Sequence, residues 1–301
     1  MRPTHAAALV LLLGAASCAP PSSAPAPTPT PVPVPATQAG TTAPAADAPP
    51  AGAYGECEAS ADGIGRTYFG REIAHYMTHH GIPWRERDTR EAEERLGALL
   101  DALDLKPGMC VADIGAGSGR LTVPMARRVA PGIAYANDIQ PEMLAFLEAR
   151  ARTEGLANLK GILGDTADTM LPAGTVDLVL MVDAYHEFDQ PWEMTRSIAR
   201  ALRPGGRVAL VEYRAEDPEV PIKELHKMTE SQARREFEAA GLRWVRTDPR
   251  LPWQHLIWFE KPCAPRPGPR RPPAAALRRS ARGPRGPSRR SGGSRAPGTG
   301  T

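Results

Sequence analysis

The sequence predicts an α/β protein: an open, mostly parallel sheet with helices on both faces, preceded by a helical N-terminal cap. Two observations carry that prediction. From residue 107 onward, strand-like and helix-like stretches alternate regularly, which implies parallel strands joined by helical crossovers. At Val111-Ala112-Asp113-Ile114-Gly115-Ala116-Gly117-Ser118-Gly119, an apolar strand runs into glycines at alternate positions, and a helix follows. Glycine lets the backbone turn tightly and approach a ligand closely. The helix after it presents unpaired N–H groups to whatever lies over the turn, so the geometry suits a nucleotide-like ligand.

Composition limits how much of the chain can fold around a core. The 33 prolines concentrate at the two ends, and residues 264–301 hold ten arginines and no acidic residue. The net charge is +3, so residues 1–263 carry 3 − 10 = −7. A mildly acidic folded part gives no support for a nucleic-acid surface of its own. The remaining stretch is the size of one domain.

In chain order, residues 1–18 read as a secretory signal: Arg2, a short apolar stretch from Ala6 to Ala16, then small residues before Cys18. The arrangement resembles a bacterial lipoprotein signal, which implies lipidation of Cys18, membrane anchoring and export to the periplasmic side. The alternatives are an ordinary cleaved signal, or an uncleaved N-terminal anchor that would leave the domain on the cytoplasmic side. Residues 19–53, rich in Pro, Ala and Thr, have no apolar periodicity and read as an extended, disordered tether. Residues 54–106 read as the helical cap, with helices over Tyr68–His80 and Asp88–Leu105, broken at Gly81-Ile82-Pro83. Ala92, Leu96, Leu99, Leu100 and Leu103 form one apolar stripe. Tyr76, Trp84 and Arg85 are candidates to line a pocket. Strands are expected at 109–114, 133–138, 159–164, 176–182, 207–213, 242–247 and 255–260, and helices at 119–129, 141–153, 190–201 and 229–240. The tail, 264–301, reads as disordered.

The turn does not fit a dinucleotide fingerprint, because Arg120 stands where a third small residue is needed. Its D-x-G-x-G-x-G pattern resembles motif I of class I S-adenosylmethionine-dependent methyltransferases. Leu202-Arg203-Pro204-Gly205-Gly206 resembles the L-[KR]-P-G-G turn of the small-molecule members. The resemblance covers roughly 107–261. It implies a Rossmann-like sheet of seven strands, the last antiparallel, over a domain of 107–263. It also implies S-adenosylmethionine as cofactor and a methyl acceptor that is a small molecule.

The resemblance assigns cofactor contacts to Asp113, Gly115, Ala116, Gly117, Gly119, Asp138, Ile139, Asp165, Thr166 and Asp183. Asp113 would hold an ammonium group by charge-assisted hydrogen bonding, or cap its own turn. Asp138, 19 residues after Gly119, suits a ribose diol, or an N-cap before Pro141. Ile139 would pack on adenine, and Asp165 and Thr166 would lie near its amine. His186 and Tyr185, at the exit of the fourth strand, are the acceptor-side candidates; they either take a proton from the acceptor or shape its pocket. Glu212, Tyr213 and His226-Lys227-Met228 either edge that pocket or lie in solvated loop. No Asn-Pro-Pro-Tyr-like motif is present, which argues against amino groups of DNA and protein as acceptors.

No metal site is expected. His75 and His79 have helical i, i+4 spacing, but no Glu lies between them as in H-E-x-x-H. Cys57 and Cys263 flank the domain and are a candidate disulfide in an exported protein. A non-catalytic lipoprotein that binds the same nucleoside is the alternative function.

Overall fold

The computed structural model describes residues 48–263. The expected signal and tail, and all but the last residues of the expected tether, lie outside the described residues. The tether ends sooner than the composition suggests, because Ala53 is already buried against Tyr68 and Trp192.

Residues 54–74 overturn the expectation of a helical lead-in. They form an antiparallel meander of β1 (Tyr54–Glu56), β2 (Gly63–Tyr68) and β3 (Arg71–Ala74). The cause is local. Phe69 and Gly70 both take positive φ, 48° and 87°, and make the two-residue turn whose twist matches that of paired strands, with Tyr68 opposite Arg71. Glu72 reinforces the meander by accepting the Ser60 and Gly65 N–H groups at 3.0 and 3.3 Å.

Helix begins only afterwards, in three short pieces: α1 (Ile82–Arg85), α2 (Arg90–Glu94) and α3 (Leu96–Ala102). The expected helix over 88–105 is broken at Arg95, whose φ of 54° is left-handed. Leu96, Leu99, Leu100 and Leu103 keep the expected stripe and are buried, but Ala92 is exposed.

The main sheet is built from β4 (Val111–Ile114), β5 (Ala134–Asp138), β6 (Leu159–Leu163), β7 (Val176–Val182), β8 (Leu202–Arg214), a two-residue β9 (Lys227–Met228), β10 (Arg243–Asp248) and β11 (Gln254–Glu260). Its order is β10-β11-β8-β7-β4-β5-β6, with β9 beside β8. Only β11 runs antiparallel to its neighbours. Helices α4 (Thr122–Val129), α5 (Pro141–Thr153), α6 (Pro191–Ala201) and α7 (Glu230–Ala239) connect the strands.

The alternation of side chains in central strands divides the core into two layers. Leu178, Leu180, Ala209, Val211, Leu256 and Trp258 pack with α3, α4 and α5 on one face. Val179, Met181, Val208, Leu210, Ile257 and Phe259 pack with α6 and α7 on the other. The meander is tied to the second face through Arg71, whose guanidinium donates to both Glu236 carboxylate oxygens at 3.0 and 3.1 Å. Among the described residues, no helix is long and apolar enough to cross a membrane. Cys57 and Cys263 are free, exposed thiols, so the candidate disulfide is not formed.

Candidate active site

The carboxyl ends of β4, β5 and β7 converge where the strand order reverses, the usual place for a ligand in an open α/β sheet. The glycine turn is pinned there by its own backbone: Gly115 and Ala116 N–H both donate to the Asn137 carbonyl, at 2.9 and 3.0 Å. Gly115 has φ of 73°, and a Cβ on it would sit 2.7 Å from the Ala184 methyl, so only glycine fits the close approach to the β7 exit. Gly119 serves packing instead: a Cβ there would meet Leu147 of α5 at 2.8 Å.

Asp138 joins the turn to β5. Its Oδ2 accepts the Gly117 N–H at 2.9 Å and its Oδ1 accepts the Gln140 N–H at 3.0 Å. The N-cap reading is not realised, because Gln140 is the N-cap of α5 and makes no side-chain cap bond; each Asp138 carboxylate oxygen keeps a second lone pair free for a ligand. Asp138 lines a cleft with Gly115, Ile139, Asp165 and Thr166. Ile139 is 37% exposed although apolar, as a residue facing a flat ligand ring would be. Asp165 Oδ1 accepts the Ala167 and Asp168 N–H groups, both at 2.7 Å, and shapes the cleft edge. Thr166 Oγ1 accepts from Gln190 Nε2 at 2.8 Å.

Asp113 and Ala116 line a smaller recess beside the same turn, under Arg85 and Arg90. Asp113 is buried and accepts a hydrogen bond from Thr122 Oγ1 at 2.6 Å. Burial pushes its carboxyl from the ordinary 3.8 up to about 6, against the pull of Thr122. Arg85 crosses over Gly117, and its buried Nε has no hydrogen-bond partner among the described residues.

A second cavity, about 450 Å³, opens on the other side of Arg85. It is lined by the lead-in segment, the β7 exit and the segment before β9, and it shares Tyr76, Met77, Arg85 and Glu187 with the cleft. Trp84 also lines it, so all three pocket candidates of the lead-in face a cavity.

His186 stands in its wall, 2% exposed. Its Nδ1 lies 2.6 Å from Glu212 Oε2, and its Nε2 lies 3.0 Å from His226 Nδ1. Glu212 is fully buried and also accepts the Tyr185 N–H at 2.9 Å. Burial alone would lower His186, but the adjoining Glu212 outweighs it and raises the imidazole. Burial, with the charge of His186, lowers His226 to about 4. Burial likewise raises Glu187, whose Oε2 accepts the Met77 N–H at 3.1 Å.

Three assignments need correction. Tyr185 does not face either cavity; its ring is wholly buried among Phe188 and Phe237, because the 3₁₀ turn after β7 points successive side chains in different directions. Asp183 lies in the second cavity and not the cleft. It has φ of 50°, accepts from Gln254 Nε2 at 2.9 and 3.1 Å, and is pushed up to about 8 by burial, Glu94 and Glu212. His75 and His79 share no helix face, since helical turn begins only at His79.

Sequence reading passed over Gln140, Arg90 and Glu187. Gln140 binds the lead-in at both ends of its amide, accepting from His79 N–H at 2.7 Å and donating to the Met77 carbonyl at 3.0 Å. Its place directly after Asp138-Ile139 was the available signal. Glu187 follows His186 in the chain, where its acidity reads equally as loop solvation.

Residues 112–210, 99 of the 301, match the protein family described as "Methyltransferase domain". Nocamycin O-methyltransferase of Saccharothrix syringae is 37% identical over 113 residues, which are 37% of this chain and 40% of that protein. A ubiquinone/menaquinone biosynthesis C-methyltransferase of Idiomarina loihiensis is 30% identical over 116 residues, 38% of this chain and 46% of that protein. The chain thus spans less than half the length of these two curated relatives. The solved SAM-dependent methyltransferase of Aquifex aeolicus superposes with a TM-score of 0.58 at 22% identity, covering 62% of this chain and all of that one. This is the class I methyltransferase fold.

That fold and its relatives imply S-adenosylmethionine as the cofactor. The residues present suit it. Gly115 lets the turn come close to the β7 exit, where a Cβ would meet Ala184; Asp138 and Ile139 line the cleft; and Asp113 and the unpartnered Arg85 Nε offer opposite charges for an amino-acid end. His186 and the second cavity stand at the exit of β7.

Proposed function

We propose that this chain is a methyltransferase that moves a methyl group from S-adenosylmethionine to a small molecule held in the second cavity. One observation carries the proposal: the cleft at the glycine turn and the 450 Å³ cavity share a wall, so two ligands can meet across Tyr76, Met77, Arg85 and Glu187. The cavity's volume suits a small molecule. The names of the nocamycin and quinone methyltransferases support the same class of acceptor. When bound, the cofactor supplies an already activated methyl group.

What remains for the protein is placement. Asp138 orients a diol through lone pairs left after its bonds to Gly117 and Gln140. Asp113 attracts an ammonium, and Arg85 spans both compartments. The lead-in closes the site against water through Gln140, Glu187 and Glu86, the last bonded to Ser118 and, at 3.2 Å, to Arg120. His186 is retained as the acceptor-side residue. A purely cofactor-binding role is not favoured, because such a role needs no second cavity. The reading of Cys18 as a lipidated anchor on the periplasmic side rests on the sequence alone.

Calorimetry of the purified chain with S-adenosylmethionine tests the reading. Binding at one site is expected, and Asp138→Ala is expected to weaken it by more than tenfold, about 1.4 kcal/mol. No heat at millimolar ligand overturns the assignment. Binding without transfer to any member of a small-molecule acceptor library would overturn the catalytic reading alone.

A further inference from the structure

We propose that His186, Glu187 and His226 form a binding site for one divalent transition-metal ion of the zinc type, open to the second cavity. These are the side chains among the described residues whose ligating atoms cluster closely enough to hold an ion. The three separations are His186 Nε2 to His226 Nδ1 3.0 Å, His226 Nδ1 to Glu187 Oε1 3.7 Å, and His186 Nε2 to Glu187 Oε1 3.8 Å. A point equidistant from all three atoms lies about 2.1 Å from each, which is the zinc–nitrogen and zinc–carboxylate bond length. That point lies in the plane of the three atoms, so shifts of a few tenths of an ångström bring them to the tetrahedral arrangement of a zinc site.

The surroundings are those of a metal ligand set. Glu212 Oε2, 2.6 Å from His186 Nδ1, fixes the imidazole with its other nitrogen toward His226 and Glu187. This carboxylate–histidine pairing is the usual outer support of a metal-bound histidine. Glu212 is itself locked by the Tyr185 and His186 N–H groups at 2.9 and 3.4 Å. Glu187 is likewise oriented, with Oε2 on the Met77 N–H and Oε1 turned to the two imidazoles.

The donor set selects the ion. Two imidazoles and one carboxylate suit zinc, iron or cobalt, and disfavour magnesium and calcium, which take oxygen donors. Three protein ligands leave a coordination position vacant, as in catalytic zinc sites. All three side chains line the second cavity, so the vacancy faces it. An acceptor offering an ionisable oxygen would complete the coordination, and its proton would leave to solvent. That role in transfer rests on the proposed function; ion binding itself does not. The absence of a metal-spacing signal in sequence has a simple cause: His226 lies 40 residues beyond His186, in a segment that meets it only after folding.

The test uses the untagged full chain, stripped with a chelator and titrated with Zn(II) by calorimetry and with Co(II) by visible absorption, with no S-adenosylmethionine present. One ion per chain is expected, with the Co(II) bands of a low-symmetry nitrogen–oxygen site. His226→Ala and Glu187→Gln are each expected to weaken Zn(II) by at least about 100-fold, beyond the 10–100-fold that losing an outer partner costs. Glu212→Gln is expected to weaken it by about 10–100-fold with the stoichiometry unchanged. Thermal melts of the stripped variants establish that each is folded. No Zn(II) binding by the parent, or binding that folded His226→Ala and Glu187→Gln both retain, overturns the site. Either result leaves the S-adenosylmethionine titration to judge the methyltransferase reading separately.

Discussion

At the scale of single residues, Asp113 shows a site working against stability. A carboxyl raised to about 6 by burial is more easily protonated in the folded chain than at its ordinary 3.8. The folded state therefore binds more protons than the unfolded state between those values, and stability falls as pH rises through that window. At pH 7 the ionised, buried group costs about 3 kcal/mol, taking 1.36 kcal/mol for each pH unit between the two values. Asp113→Asn keeps an oxygen for Thr122 Oγ1 and removes the charge. Urea unfolding of the unliganded variant at pH 7 should show a gain approaching that amount, and the decline between pH 4 and 6 should flatten. S-adenosylmethionine binding should weaken by more than tenfold in the same variant. For the parent, affinity should rise as pH climbs through about 6, where the carboxylate gains its charge. A variant that keeps full affinity would remove the ammonium role from Asp113.

At the scale of elements, the meander of β1 to β3 depends on one buried contact more than on its own pairing, because a sheet of three short strands has little core. Arg71 reaches from β3 to Glu236 of α7 and also donates to the His186 carbonyl at 3.1 Å. Arg71→Ala leaves Glu236, fully buried, without its cation. The expected loss is about 3–5 kcal/mol, read from chemical denaturation; a loss under 1 kcal/mol would mean that Gln232 Nε2, 2.7 Å from Glu236 Oε1, suffices. This meander also marks the boundary of what the sequence makes legible. Strands β4, β7, β8 and β11 announce themselves because largely apolar runs of strand length bounded by turns have few other uses. The stretch from Gly63 to Ala74 mixes Arg, Glu and Tyr, so its period is obscured, and the turn at Phe69-Gly70 lacks the Asn or Asp that usually signals one. In the site, Asp113, Gly115 and Asp138 were legible because their spacing along one strand–turn–helix unit fixes their geometry. Tyr185 was misread and Glu187 missed for the converse reason: adjacent residues on a 3₁₀ turn diverge, and only tertiary packing decides which faces the cavity.

At the scale of the whole molecule, the segment from His75 to Arg90 is the part on which closure of the site depends. It has little regular structure of its own, only a 3₁₀ turn and the four residues of α1. It is held to the sheet by side chains reaching up to its backbone and charges: Gln140 to His79 and Met77, Glu187 to Met77, and Glu86 to Ser118, Arg120 and Arg150. Such a segment, rich in loop and anchored at points, opens at lower free energy than the core strands. It also lines both cavities, so a ligand in the cleft is enclosed only while it is down. Cofactor at 100 times its Kd should stabilise the closed state by about 2.7 kcal/mol. Amide exchange at residues 76–87 should then slow by about 100-fold where opening of this segment governs exchange, while amides of β4 and β7 change only through global unfolding. Gln140→Ala should accelerate exchange at Met77 and His79 in the unliganded chain and shrink the protection that cofactor confers. Equal protection of the segment and the central strands would mean that the molecule opens only as a whole, and that the lead-in is a fixed wall of the site, not its door.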